Sequence, residues 1–303
     1  MAAPARTSLG ILLMVGFALV APGMDACAKL IGDAVAVGQV ATTRFLAQAV
    51  LLFPLALAFG WLHRPGGREA GLHLARAALL LVATAFFFTA LRAMPMADAI
   101  AIFFVEPFIL TLLGGWLLGE PLGPRRYVAC ATGFAGALLV IQPSFREVGP
   151  VAFLPLVTAL CFAFYMVLTR SMARRMHPIT LQVYTGVAAL ALAVPVLWAF
   201  DGSGIAPLDP VWPAARELWL LAGLGLIATV AHVLISLALA LAPASTLAPF
   251  QYLEIVGATA LGHVIFGDLP SPLARAGIAL IVASGLYVYL RERHLERRPL
   301  PPA

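Results

Sequence analysis

Apolar stretches of about 20 residues follow one another along the whole chain, separated by short charged or turn-forming segments, and this pattern leaves few folds open. A hydrocarbon core of ~30 Å takes about 20 helical residues to cross. In lipid every backbone polar group must bond within the protein, so such stretches fold as helices. Ten candidates fall at roughly 9–31, 37–60, 75–91, 97–118, 127–142, 149–169, 180–200, 218–241, 246–266 and 273–290. The segments "HRPGGRE", "GEPLGPRR", "PSFREVGP", "RSMARRMHP" and "DGSGIAPLDP" break the pattern between them. Charged residues make up 11% of the chain, against roughly 25% in a soluble domain. The chain reads as an all-α polytopic membrane protein.

The N-terminal stretch "RTSLGILLMVGFALVAPGMDACAKL" carries two marks of a cleavable signal, Arg6 ahead of the apolar run and the small residues "ACA". Its apolar run is longer than a signal's, and the repeat described below needs it as a helix of the bundle. The net charge of +5 does not point to nucleic acid, because the arginines are spread among loops and Lys29 is the one lysine. Topology accounts for them better. With the N-terminus inside, thirteen of the 19 basic residues fall on the inner side: Arg6, Arg64, Arg68, Arg76, Arg125, Arg126, Arg170, Arg174, Arg175, Arg291, Arg293, Arg297 and Arg298. Lys29, Arg44, Arg92, Arg146, Arg216 and Arg275 are left outside. The imbalance places both termini in the cytoplasm of a cell whose inner (plasma) membrane holds the protein.

The two halves resemble each other. "FFVEPFILTLLGGWLLGEPLGP" overlays "FQYLEIVGATALGHVIFGDLPSP" with one constant shift, which pairs Glu106 with Glu254, Pro95 with Pro243, Gly119 with Gly267, Glu120 with Asp268 and Pro124 with Pro272. Five helices per repeat is an odd number, so the second copy enters the membrane inverted. The expected units are residues 1–146 and 147–303, the second ending in a short basic tail. Inverted repeats of this kind build secondary transporters, with the solute site near the midplane between the halves.

At this point a resemblance can be named. "RAMPMADAIAIFFVEPFILTLLGGWLLGEPLGPRRYVACATGFAGALLVIQP" and its weaker copy "LALAPASTLAPFQYLEIVGATALGHVIFGDLPSPLARAGIALIVASG" resemble the EamA-type family of the drug/metabolite transporter superfamily. The second copy departs from the family pattern in carrying Asp268 where a glutamate is usual. The resemblance implies two inverted five-helix repeats around a central cavity. It also implies transport of small organic solutes, often amino acids or related metabolites leaving the cell. The specific cargo does not carry over.

An ionisable group at mid-bilayer costs about 2.5–3.5 kcal/mol on insertion scales, so it should face protein or a watery cavity. Glu106 and Glu254 sit near half depth in corresponding helices and are expected either to bind a substrate amine or carry a proton, or to be packing residues bonded to neighbouring backbone. Pro107 has no N–H and frees the carbonyl of Phe103, which suggests a kink or hinge. The second repeat has Ile255 at that place, which implies halves that are not mechanically equivalent. Asp25 and Lys29 are four apart on one face of the first helix, after Pro22, and either neutralise each other or form an outer gate with Arg44. Asp98 is expected to cap its helix. His232, in the eighth span, can donate or accept a proton, and Tyr165, Tyr184, Gln251 and Tyr252 offer stacking surface and hydrogen bonds to a cavity. Trp198, Trp212 and Trp219 suit the outer interface.

Catalytic signatures are missing. "GLGLIA" (Gly223 to Ala228) matches a dinucleotide fingerprint but lies inside a span with no preceding strand. Cys27, Cys130 and Cys161 have neither disulfide nor zinc spacing, and no cofactor or metal is called for. The leading expectation is a secondary transporter of amino acids or related metabolites, working in efflux by alternating access. The alternatives are an uptake permease for a vitamin- or nucleoside-like solute and, in a different class, an intramembrane enzyme or lipid-handling protein. Expected partners are a small solute, the lipid bilayer and a coupling proton. Nucleic acid is excluded, and both a monomer and a homodimer are open.

Overall fold

The computed structural model describes residues 2–118, 124–173, 176–242, 247 and 250–296. Its helices are α1 (Ala2–Ile31), α2 (Val37–Ala58), α3 (Gly67–Ala93), α4 (Met96–Phe103), α5 (Glu106–Leu118), α6 (Pro124–Val148), α7 (Leu154–Ala173), α8 (Pro178–Ala199), α9 (Ala215–Leu241), α10 (Leu253–Leu261) and α11 (Pro272–Glu296). A π-turn, Gly262–Phe266, prolongs α10. Among the described residues six stretches are long and apolar enough to cross a membrane: Thr7–Ala34, Val37–Ala58, Gly67–Ala93, Tyr127–Thr169, Pro178–Ala199 and Ala215–Leu241. Tyr127–Thr169 holds two helices, α6 and α7, and Leu253–Phe266 and Pro272–Tyr287 are shorter apolar helices.

Where their residues are described, the spans expected from the sequence fall on helix with four differences; residues 246, 248 and 249 of the ninth lie outside the described residues. The third and fifth helices are longer than the expected 75–91 and 127–142, because helix continues through charged residues at their ends. Arg68 and Glu69 lie inside α3, and α6 runs past Pro143 and Arg146 to Val148. The chain then reverses at Gly149, whose φ of +65° is open to glycine at no steric cost. The third and fourth differences are divisions of the fourth span, where α4 and α5 are separated by turns at Phe104 and Val105, and of the ninth, at Tyr252.

Packing obeys the internal repeat. Helices α1, α2, α3, α5 and α6 have α7, α8, α9, α10 and α11 as counterparts. α1 packs on α9, and its counterpart pair α7–α3 packs likewise. α2 on α9 is mirrored by α8 on α3, and α1 on α10 by α7 on α5, while α2–α8 and α6–α11 pair counterparts directly. Exchanging the halves therefore maps the packing onto itself, as a pseudo-two-fold axis requires. α6 and α11 cross where Gly136 meets Gly277: a Cβ on Gly277 would stand 2.5 Å from the Gly136 carbonyl oxygen. Such close backbone approach drives helix association where lipid is as apolar as the side chains.

The outside of the bundle is apolar. Leu12, Leu19, Val50, Leu57, Val128 and Val264 are exposed, as are Trp198, Trp212 and Trp219, which suits interfacial anchors. The inside holds the polar groups: Asp25, Arg44, Gln48, Arg76, Glu106 and Glu254 are all buried. α1 is one helix of this bundle, packed on α9 and α10. In the false dinucleotide motif, Gly225 brings α9 against Ala47 of α2, with only 2.4 Å for an added Cβ. Its glycine serves packing.

Candidate functional site

The site is built around two helix breaks. α4 ends at Phe103, and α5 starts at Glu106 with Pro107 in its first turn, where a missing N–H costs no intrahelical bond. In the second repeat the chain turns at Tyr252, and α10 starts at Leu253 with Glu254 in its first turn. The repeat shift pairs Phe104 with Tyr252, so the breaks are equivalent although Pro107 has no counterpart. The rings of Phe104 and Tyr252 meet across the halves at 5.1 Å between centroids.

From this contact an arc of aromatic rings runs through the interior. Phe103 lies 5.9 Å from Phe104 and from Phe87, and 5.4 Å from Phe162, which lies 5.3 Å from Tyr165. Four elements, α3, the α4–α5 break, α7 and the α10 break, contribute to it.

Polar groups stand beside the arc. Glu106 and Glu254 are each 8% exposed. Glu106 is within electrostatic reach of Tyr252 and Glu254 of Asp25. Oε1 of Glu106 and Oδ1 of Asp25 are buried without a hydrogen-bond partner. Arg44, buried on α2, donates to Thr84 Oγ1 and contacts His232 Nε2 on α9, and its Nε is unpaired. Gln48, one turn further along α2, donates to the backbone carbonyl of Gln182 at 2.7 Å and to its side-chain oxygen at 3.0 Å, and Gln182 donates to Ser236 Oγ at 3.0 Å. An unpaired buried polar atom costs roughly 1–3 kcal/mol. Three such atoms, on Asp25, Glu106 and Arg44, mark the interior as a place where a polar ligand can complete the bonding.

The structure corrects several expected placements. Asp25 does not pair with Lys29; it faces the interior within reach of Arg44. Lys29 instead bonds Asp268 of the other half at 2.5 Å. Arg44 belongs to the buried interior and not to the outer side. Pro22 does not break α1, which continues to Ile31; its ring packs on Gly257, where a Cβ would stand 3.0 Å from Cγ. Asp98 makes no cap; its carboxylate accepts from Ser144 Oγ at 3.3 Å. Tyr184 lies away from the arc, with its hydroxyl bonded to the backbone of His63 and its ring beside His63 and His73. Gln251 is half-buried next to Tyr252. Tyr165, Tyr252, His232, Glu106 and Glu254 all lie in the interior.

One interior residue was read as a loop charge. Arg76 is fully buried, donates to Thr169 Oγ1 at 3.1 Å and Tyr165 Oη at 3.2 Å, and lies 4.9 Å from the Tyr165 ring. Its signal was the spacing Glu69, His73, Arg76, which puts polar residues on one face of α3. Among the described residues no group of His, Cys, Asp and Glu is arranged to hold a metal.

The EamA-like transporter family matches residues 8–142 and again residues 149–290. A riboflavin transporter of Rhizobium johnstonii is 31% identical over 227 residues, covering 75% of this chain and 72% of the relative. An S-adenosylmethionine uptake transporter of Rickettsia prowazekii is 22% identical over 269 residues, covering 89% and 88%. A solved crystal structure shares the fold at a TM-score of 0.66 and 20% identity, over 97% of this chain and 99% of that one.

Proposed function

The chain belongs to the EamA-like transporter family, and from that premise we propose that it is a secondary transporter of a flat heteroaromatic metabolite with polar edges, a solute of the riboflavin type. The observation that carries this reading is the aromatic arc from Phe87 to Tyr252 lying beside the unpaired buried atoms of Asp25, Arg44 and Glu106. Rings take up the faces of a flat solute by stacking. The carboxylates accept from its N–H or hydroxyl groups, and the Arg44 guanidinium donates to its carbonyl edge. An amino acid would leave most of the aromatic surface unused. The named substrates of the relatives, riboflavin and S-adenosylmethionine, each contain a heteroaromatic ring, which supports the same class.

Residues 1–146 and 147–303 are the two repeats in this reading, with both termini cytoplasmic in an inner membrane. Removing Arg76 from the inner set and Arg44 from the outer one leaves the arginine imbalance in place. Alternating access turns one repeat against the other about the axis through Phe104 and Tyr252. Glu106 and Glu254, one per repeat, are the groups that meet the solute or a coupling proton. Reconstitution into sealed liposomes tests this. Riboflavin flux should be saturable, measured in both directions so that efflux and uptake are separate arms, and should be inhibited by other flat heteroaromatics. Amino acids that move or compete while riboflavin does neither would restore the amino-acid reading and refute this one.

A further inference from the structure

Lys29, the chain's one lysine, occupies the last turn of α1 in the first repeat. Its Nζ lies 2.5 Å from Oδ2 of Asp268, in the segment that joins α10 to α11 of the second repeat. The same ammonium donates to the Met94 carbonyl at 3.0 Å and stands 4.8 Å from the Phe266 ring. Met94 closes α3, so one side chain ties three elements of both halves together on the outer side. Asp268 is aimed by a stiff local turn. Gly267 takes φ +72° after the π-turn, its N–H bonds the His263 carbonyl at 3.0 Å, and the Asp268 N–H bonds the Gly262 carbonyl at 3.1 Å.

If α1 and the α10–α11 segment part, the lysine needs another counter-ion. A second seat exists. Asp98, in the first turn of α4, is buried; Oδ2 accepts from Ser144 and Oδ1 has no partner. It lies within electrostatic reach of Lys29, Asp268 and Glu147. Asp98 belongs to the first repeat, as Lys29 does, so a move from Asp268 to Asp98 breaks the tie between the halves, keeps the ammonium paired and leaves the partly exposed Asp268 to water.

We propose that Lys29 is the latch of an outer gate, closed by its ion pair with Asp268 and held open by transfer to Asp98. The proposal rests on alternating access but on no particular solute. Its test therefore uses a probe that needs none: spin labels at the exposed outer positions Ala34 and Leu269, in protein whose three cysteines have been replaced, with the distance distribution read by pulsed electron resonance. The parent should give one short distance. Asp268→Asn should raise the ratio of a longer distance to the short one by about fivefold, the scale of a partly exposed pair, and Lys29→Gln, which removes the partner of both acids, should raise it by a smaller factor. The exchanged pair Lys29→Asp with Asp268→Lys should return the short distance. Adding Asp98→Asn to Asp268→Asn should lower the longer fraction again. Distributions unchanged in both Asp268→Asn and Lys29→Gln would overturn the latch, and failure of the exchanged pair to restore the short distance would overturn the pairing. Should Asp268→Asn not fold, Lys29→Gln decides alone. Absence of riboflavin flux would leave these distances standing, so the two readings fail separately.

Discussion

Gly285→Ala offers a test of the interior in which the sign of the effect is the result. Gly285 lies on α11 against Tyr252, and a Cβ there would stand 1.7 Å from the tyrosine oxygen, 2.4 Å from Cζ and 2.7 Å from Cε2. Ordinary contacts begin near 3.4 Å, so the ring must shift by more than 1 Å, and the Phe104 ring limits where it can go. Overpacking of this kind costs about 1–3 kcal/mol. Against it stands the gain from replacing a helical glycine by alanine, up to ~1 kcal/mol. The balance is a loss of roughly 1–2 kcal/mol. Truncating the tyrosine as Tyr252→Leu removes the obstructing atoms, and the same Gly285→Ala change should then stabilise by up to ~1 kcal/mol. The two backgrounds differ by a coupling of about 2 kcal/mol, within the range for residues in contact. Unfolding of the four proteins in detergent measures it, and riboflavin binding should weaken in Gly285→Ala along with stability. Equal effects of Gly285→Ala in the two backgrounds would refute the contact and with it the placement of Tyr252 at the break.

Glu106→Gln keeps the shape of a side chain that has one unpaired oxygen, so riboflavin flux should fall about tenfold or more at an unchanged melting temperature; parental flux would remove the carboxylate from the site. Gly225→Ala should cost about 1–3 kcal/mol against Ala47, while Gly223→Ala, whose nearest neighbour is Cys27 Sγ at 3.9 Å, should be tolerated. Equal tolerance would show that α2 and α9 do not approach as described. His177 stands ahead of α8, stacks on Trp61 at 4.0 Å and accepts the Ile179 N–H on Nδ1 at 3.3 Å. Burial holds its pKa below the ordinary value of about 6.5, so its contribution to stability is whole above that pH and is lost as pH falls through the lowered folded value. Melting between pH 7.5 and 5 should show this loss, and His177→Asn, which can still cap the helix, should flatten it.

The helices were legible because lipid leaves a segment little choice: a run of apolar residues must bond its own backbone. The repeat was legible because both copies carry an acid, a glycine and prolines at one constant shift. What the sequence hid was which way a charge faces. Arg44 and Arg76 look like the loop arginines that set topology, and only packing shows them inside, bonded to Thr84 and to Tyr165. The partner of Lys29 was equally hidden. Asp25 is four residues away on the same helix, while Asp268 is 239 positions distant, and proximity along the chain favoured the wrong acid. Tyr184 failed for the converse reason, since an aromatic within an apolar run carries no mark of its depth.

The two breaks explain why acids are tolerated at half depth. Pro107 looked like the cause of a defect, yet the second repeat turns at Tyr252 with no proline beside it. What the breaks share is an acid in the first turn of the following helix, Glu106 in α5 and Glu254 in α10. Within a continuous helix a carboxylate would meet backbone N–H groups already engaged. At a helix start the positive end of the dipole favours negative charge by 0.3–1 kcal/mol at a surface and up to ~2 kcal/mol when partly buried. Against an insertion cost of about 2.5–3.5 kcal/mol, that offset is large enough to matter. The break therefore makes room for the acid, and the acid gives the repeat a reason to keep its break. Pro107 fits the first because a first turn is where a helix can do without an N–H, which makes the proline a consequence of the break and leaves the carboxylates as what the two halves have in common.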